Sequence, residues 1–196
     1  MRHANTLTAM GIEIWVRRQF ADCADTTASV LDPKGLASEI ASCTRCKLHK
    51  ERTQTVFGVG DLNAELLIIG EAPGAEEDRL GEPFVGPAGK LLNSMLGAIG
   101  LSRQQVYITN ILKCRPPGNR DPKPEEVVQC TAYLARQVEM IQPRLILAVG
   151  RVAAQNLLQR NTPIGKMRGQ RYTYGQLEVP VIVTYHPAYL LRSPRE

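Results

Sequence analysis

Residues 66–78 read LLIIGEAPGAEED: an aliphatic run stops at Gly70, and a carboxylate, Glu71, follows at once beside the Pro73-Gly74 turn. A short apolar run closed by glycine reads as a buried strand. Similar runs recur downstream as QVYITN (105–110), RLILAVG (144–150) and PVIVTYHP (180–187). Between them lie helix-like segments, PAGKLLNSMLGAIG (87–100), PEEVVQCTAYLARQVEMI (124–141) and RVAAQNLLQ (151–159). Strands alternating with amphipathic helices predict an α/β fold, a three-layer α/β/α arrangement around a central four-stranded, mainly parallel sheet. RYTYGQLEV (171–179) reads as a hairpin or excursion with Gly175 at its turn.

In open α/β sheets ligands bind outside the carboxyl ends of the strands. Glu71 follows the first run, Asn110 ends the second, Gly150 and Arg151 close the third, and His186 with Pro187 closes the fourth. A carboxylate, an amide and an imidazole brought to one edge make a candidate site; singly, each would read as a cap or turn residue.

Bulk composition is consistent with one soluble domain. The chain has 196 residues, 43% of them hydrophobic, and 24 basic against 19 acidic residues give a net charge of +5. That balance leans toward a polyanionic partner without requiring one. The N-terminus has no apolar signal core, and no stretch reaches the roughly 18 apolar residues of a membrane span. A cytoplasmic protein without membrane contact is expected. Residues 1–36 show no clear period and are read as an N-terminal extension, with the domain occupying 37–196. A reducing compartment keeps thiols free, so Cys23, Cys43, Cys46, Cys114 and Cys130 are not read as disulfides. Cys43-Thr-Arg-Cys46 is a C-x-x-C hook; four thiolates suit zinc or an iron–sulfur cluster, and spacing alone does not choose between them.

GEAPGAEED (70–78), GEPFVGPAGKLL (81–92), TNILKCRPPGNRDP (109–122) and HPAYLLR (186–192), with the four cysteines, resemble the family 4 uracil-DNA glycosylases, the iron–sulfur branch of the uracil-DNA glycosylase superfamily. The resemblance runs from about Cys43 to Arg192, in order and in register. It implies a base-excision-repair hydrolase that flips deoxyuridine out of single- or double-stranded DNA, acts as a monomer and cuts the N-glycosidic bond. It also implies a four-iron four-sulfur cluster on Cys43, Cys46, Cys114 and Cys130, presenting Lys47, Lys50, Arg115 and Arg120 near DNA; Cys23 is left as a free thiol.

The same resemblance assigns roles. Asn110 reads uracil O4 and N3–H, since an amide offers both an acceptor and donors. Phe84 stacks on the flipped base. His186 meets uracil O2, where negative charge grows as the bond breaks. Glu71 faces the sugar and the attacking water, while the position after it, an aspartate in the best-studied branch, is Ala72. Gly70 and Ala72 flank Glu71 in the substrate pocket. The tyrosine that excludes thymine in that branch is matched by Gly74, leaving Glu77 or nearby backbone to fill the space, although Glu76, Glu77 and Asp78 equally suit the acidic start of a helix. Asn119 matches a position near the pocket. Lys113, Arg115, Arg120, Lys166, Arg168 and Arg192 fall where phosphates would lie. Leu190 or Leu191 is placed to wedge into the gap left by the base, or else to be buried in a first helical turn.

Three other readings are weaker. The covalently cross-linking branch carries an inserted basic loop that CRPPGNRDPKPEE lacks. A non-catalytic iron–sulfur DNA-binding or electron-transfer module has no need of Glu71, Phe84, Asn110 and His186. A dinucleotide-binding Rossmann protein should show G-x-G-x-x-G after its first strand, which is absent here. The family pattern further implies a C-terminal helix after HPAYLLR; the sequence stops at SPRE, so that helix is expected to be missing.

Overall fold

The run 66–70 forms a strand whose three central residues, Leu67, Ile68 and Ile69, are wholly buried. Successive strand residues face opposite sides. Leu67 and Ile69 accordingly enter one core with Leu134, Val138 and Ile141, and Ile68 enters another with Leu92, Leu96 and Val149. Burial on both faces is why the run is continuous rather than alternating.

The computed structural model describes residues 32–193 and Arg195. In chain order the elements are α1 (Pro33–Ala41), β1 (Val59–Gly60), β2 (Leu66–Gly70), α2 (Ala75–Leu80), α3 (Pro87–Ala98), β3 (Tyr107–Asn110), α4 (Pro124–Ile141), β4 (Leu145–Val149), α5 (Arg151–Leu158), α6 (Ile164–Met167), β5 (Tyr172–Tyr174), β6 (Val179–Thr184) and α7 (Pro187–Arg192). Two 3-10 turns, Lys47–Lys50 and Pro117–Asn119, complete them. None of these helices is long and apolar enough to cross a membrane. Residues 1–31, including Cys23, lie outside the described residues.

The expected four-stranded sheet in three layers is corrected to a mixed six-stranded sheet, ordered β1-β3-β2-β4-β6-β5. The inner pairs β3–β2, β2–β4 and β4–β6 are parallel, whereas β1 and β5 add antiparallel to the two edges. Both edge strands are too short to show a sequence period. β1 has two residues, and a Cβ on its Gly60 would stand 1.8 Å from the Val106 carbonyl oxygen. β5 is the first arm of the hairpin read in 171–179, with Gly175 at φ 68° in the turn.

Helix α4 buries Val127, Cys130, Leu134, Val138 and Ile141, one stripe at three- and four-residue spacing. Pro124 opens it, and the Glu126 side chain accepts from the Lys123 N–H at 2.9 Å, closing its first turn. Helix α1 starts at Asp32, whose carboxylate accepts from the Lys34 and Gly35 amides at 3.0 and 2.9 Å. It packs Leu36 and Ile40 against Tyr133 of α4. At the other end of the chain, α7 packs against α3, which fixes the segment that follows β6.

Candidate active site

Because β2, β3, β4 and β6 run parallel, their carboxyl ends share one edge. A cleft of about 940 Å³ opens there, and its walls include Glu71, Ala72, Glu77, Phe84, Asn110, Asn119, His186, Leu191 and Arg192. Gly70 lies beneath, paired with Asn110 across β2 and β3. A Cβ on Gly70 would stand 2.4 Å from Asn110 Oδ1 and 2.7 Å from Phe84 Cζ. Glycine at the strand end is therefore what lets the amide and the ring approach the same point.

Asn110 is buried, with 2% of its surface exposed, and its backbone is fixed from below. The Lys113 ammonium donates to the Asn110 carbonyl at 2.8 Å, to Thr109 Oγ1 at 2.7 Å and to Gln137 Oε1 at 2.5 Å. Three acceptors satisfy its three protons. The reading of Lys113 as a phosphate contact is thus overturned: it is buried, and burial pushes its pKa down to about 7.

Phe84 sits at φ 54°, a left-handed conformation unfavourable for a bulky residue, so its surroundings must hold it. Glu77 accepts from the Val85 and Gly86 amides at 2.9 and 3.1 Å and from the Gly74 amide at 3.1 Å. Arg103 donates to the Pro83 and Phe84 carbonyls. Gly89 of α3 lies so near that a Cβ there would be 1.8 Å from the Phe84 carbonyl oxygen. Glu77 borders the cleft, but its carboxylate is committed to backbone. The ring so presented stacks on His186, with centroids 5.6 Å apart and planes at 26°.

His186 caps α7. Its Nδ1 accepts from the Ala188 N–H at 3.1 Å. An amide only donates, so Nδ1 is unprotonated and the ring proton sits on Nε2. Burial, reinforced by Arg192 and opposed by Glu77, holds the His186 pKa below its ordinary value. The group is a neutral imidazole with one N–H donor. Gly150, at φ 96°, leaves room for it: a Cβ there would approach His186 Cβ to 3.0 Å.

Glu71 is half-buried. Burial, with help from the Asp121 carboxylate and against the pull of Arg151, raises its pKa from 4.5 to about 7. A raised carboxyl favours folding fully below pH 4.5, and that contribution is lost as pH rises through about 7. Glu71→Gln removes the buried charge. It is expected to stabilise the protein by about 1–2 kcal/mol at pH 8, after allowing for solvent screening, and by close to nothing at pH 4. Denaturant unfolding of both proteins at the two pH values checks this; equal differences at both would contradict it.

Of the other predicted residues, Leu191 is exposed on the cleft wall and Leu190 is half-buried outside it. Arg115 does not line the cleft; its Nε donates to Asn119 Oδ1 at 2.7 Å. Arg168 also lies off the wall, with its guanidinium 3.9 Å over the ring of Tyr185, which does line it. Arg120 is held by Glu126 through bonds of 2.8 and 2.6 Å. Sequence reasoning missed Arg103, Asp121, Tyr185 and Tyr189 as parts of the site. It noted Arg151 only as a strand-end residue.

The expected four-iron four-sulfur cluster is also corrected. Among the described residues, no group of three or more His, Cys, Asp or Glu side chains is arranged to hold a metal ion. Cys43, Cys46, Cys114 and Cys130 are free. Burial pushes the Cys130 thiol up to about 11 and Cys114 above its ordinary value. The Cys114 sulfur accepts from Arg52 Nη1 at 3.1 Å.

The fold and cleft define an α/β protein that gathers a carboxylate, an amide, an aromatic face and a neutral imidazole where its parallel strands end. Comparison with known proteins gives the family. Residues 57–196 match the model of the uracil DNA glycosylase superfamily. The chain is 53% identical to a type-4 uracil-DNA glycosylase of Archaeoglobus fulgidus over 82% of its own length and 83% of the relative's. It is 46% identical to one of Saccharolobus solfataricus, covering 81% and 77% of the two chains. A third, of Sulfurisphaera tokodaii, is 45% identical over 81% and 76%. The chain belongs to the uracil-DNA glycosylase superfamily, in its family 4.

Proposed function

We infer that this chain is a uracil-DNA glycosylase, which takes deoxyuridine out of the DNA stack and hydrolyses its N-glycosidic bond, leaving free uracil and an abasic site. The observation that carries the reading is the meeting of the Asn110 amide, the Phe84 ring and the neutral His186 imidazole in one cleft with Glu71.

The flipped base lies along the Phe84 ring, an apolar face that any base can use. Asn110 selects the edge: its NH2 donates to uracil O4 and its carbonyl accepts from N3–H. Cytosine offers a donor and an acceptor in the opposite order. As the C1′–N1 bond lengthens, its electron pair passes into the uracil ring and charge gathers on O2. The Nε2–H of His186 donates there, and its bond strengthens toward the transition state. Water adds to C1′ of the oxocarbenium-like sugar, and the proton it loses passes through solvent to the departing uracil anion, which leaves as neutral uracil. Glu71, ionised above about pH 7, orients that water and offsets the sugar's positive charge. Ala72 lines the cleft beside Glu71, and Glu77 shapes the wall beside uracil C5 through the 84–86 backbone it holds.

DNA is met by Arg192 and Leu191 on the cleft wall, Leu191 filling the gap left by the base. Arg115, through Asn119, and Arg168, beside Tyr185, serve the phosphates. The substrate is uracil-containing DNA, single- or double-stranded, and the protein works as a monomer in the cytoplasm of its cell. Treating an end-labelled oligonucleotide carrying one uracil, then alkali to break abasic sites, tests the reading. Scission at uracil and none at thymine is expected; no scission at uracil would refute it.

A further inference from the structure

The chemistry above leaves one aromatic stack of the cleft unused. Phe84 on His186 serves the flipped base. A second stack runs through Tyr185, between β6 and α7, and Tyr189 of α7, with ring centroids 5.0 Å apart and planes at 45°. The Arg168 guanidinium lies 3.9 Å over the Tyr185 ring, so the order is cation, ring, ring. Both tyrosines line the cleft, as do Leu191 and Arg192. The stack is anchored at its inner end, because Arg168 follows α6, which packs against β6. At its outer end the Tyr189 amide donates to the His186 carbonyl at 2.8 Å, fixing the backbone that carries the last ring. That ring is open: Tyr189 is 36% exposed. Arg192 stands at the i, i+3 position from it, on the same side of α7.

We propose that Tyr189, backed by Tyr185 and Arg168, is a stacking platform for the unpaired nucleobase that neighbours the deoxyuridine in its own strand. The occupant follows from the surroundings. The platform is continuous with the cleft that takes the flipped nucleotide, and Arg192 complements the phosphate that a neighbouring nucleotide carries. Stacking on Tyr185 occupies the flat face of the Arg168 guanidinium and leaves its N–H edge for a second phosphate. A tyrosine face reads no base edge, so every neighbour is tolerated. In a duplex that neighbour stays paired and stacked on its own helix, and the platform has nothing to hold. The proposal rests on the glycosylase reading and adds to it a preference for single-stranded substrate.

The test is a cycle of binding constants on single-stranded oligonucleotides carrying one 2′-fluoro-2′-deoxyuridine, whose fluorine opposes loss of the base. One probe has ordinary bases on either side of it, and the other has base-free spacers there. Removing the neighbouring bases should weaken wild-type binding by roughly 5- to 100-fold, the range for a base stacked on an aromatic ring. Tyr189→Ala should weaken binding to the first probe by a similar factor and leave binding to the second nearly unchanged. Tyr189→Phe keeps the ring and should keep this coupling. A merely structural role in holding α7 would weaken both probes alike, so equal losses overturn the proposal, as does coupling of the same size on the duplex forms. A fluorescent 2-aminopurine beside the deoxyuridine reads the contact itself: it should stay dim on binding the wild type and brighten on binding Tyr189→Ala, and brightening with both contradicts the stack. Coupling at Tyr189 in a protein that releases no uracil from the unmodified oligonucleotide would sink the glycosylase reading and leave the platform standing. Uracil release without coupling would do the reverse.

Discussion

Asn110→Ala is expected to lower uracil release by roughly three to four orders of magnitude while leaving the fold intact. The size follows from where the amide sits. It is buried at the junction of Gly70 and Phe84, so the base edge cannot turn to water when the amide is lost. Uracil O4 and N3–H would enter the cleft unpaired, and a site built to pair both loses far more than one hydrogen bond. The fold should survive because the anchor below is made by backbone: Lys113 grips the Asn110 carbonyl and not its side chain. Asn110→Asp separates reading from packing. The shape is kept but a donor becomes an acceptor, so uracil release should fall comparably while the ratio of cytosine to uracil release rises. Single-turnover rates on both bases, with melting temperatures as the control for folding, decide it. Unchanged uracil release in either variant would remove Asn110 as the base reader.

His186→Ala is expected to slow the chemical step about 100- to 1,000-fold with little change in affinity for uracil-containing DNA. The imidazole is neutral, so it contributes a directed dipole that gains strength as charge moves onto O2. Its direction is set by three neighbours: the Ala188 amide fixes the tautomer, Phe84 stacks on the ring, and Gly150 leaves room behind it. Rapid-mix base release and equilibrium binding to the same oligonucleotide separate the two effects. Equal losses in rate and in binding would mean that His186 holds substrate and transition state alike.

Much of this architecture is legible in the chain because its inner strands are buried on both sides and announce themselves as unbroken aliphatic runs. The edges are less legible: Val59-Gly60 is too short for any period, and Tyr172–Tyr174 reads only as part of a hairpin or excursion, not as a strand of the main sheet. Strand ends point to Glu71, Asn110 and His186 for a topological reason, since parallel strands must deliver their following residues to one edge. Lys113 shows the limit of reading charge from sequence. Its burial depends on Gln137, 24 residues away on α4, a partner that local pattern cannot reveal. The Asp121–Arg151 pair, 30 residues apart, escapes for the same reason. The cysteines fail differently: a spacing shared with a family does not by itself arrange the side chains as ligands, and among the described residues no group of three or more is so arranged.

The central claim is hydrolysis of the bond between uracil and deoxyribose, and mass spectrometry of both products tests it most directly. An oligonucleotide with a single deoxyuridine, incubated with the wild-type protein, should yield free uracil and an unbroken strand bearing one abasic site in equal amounts; the matched thymidine oligonucleotide should be returned unchanged. An intact uracil-containing strand, or one joined covalently to the protein with no abasic product, would contradict the account.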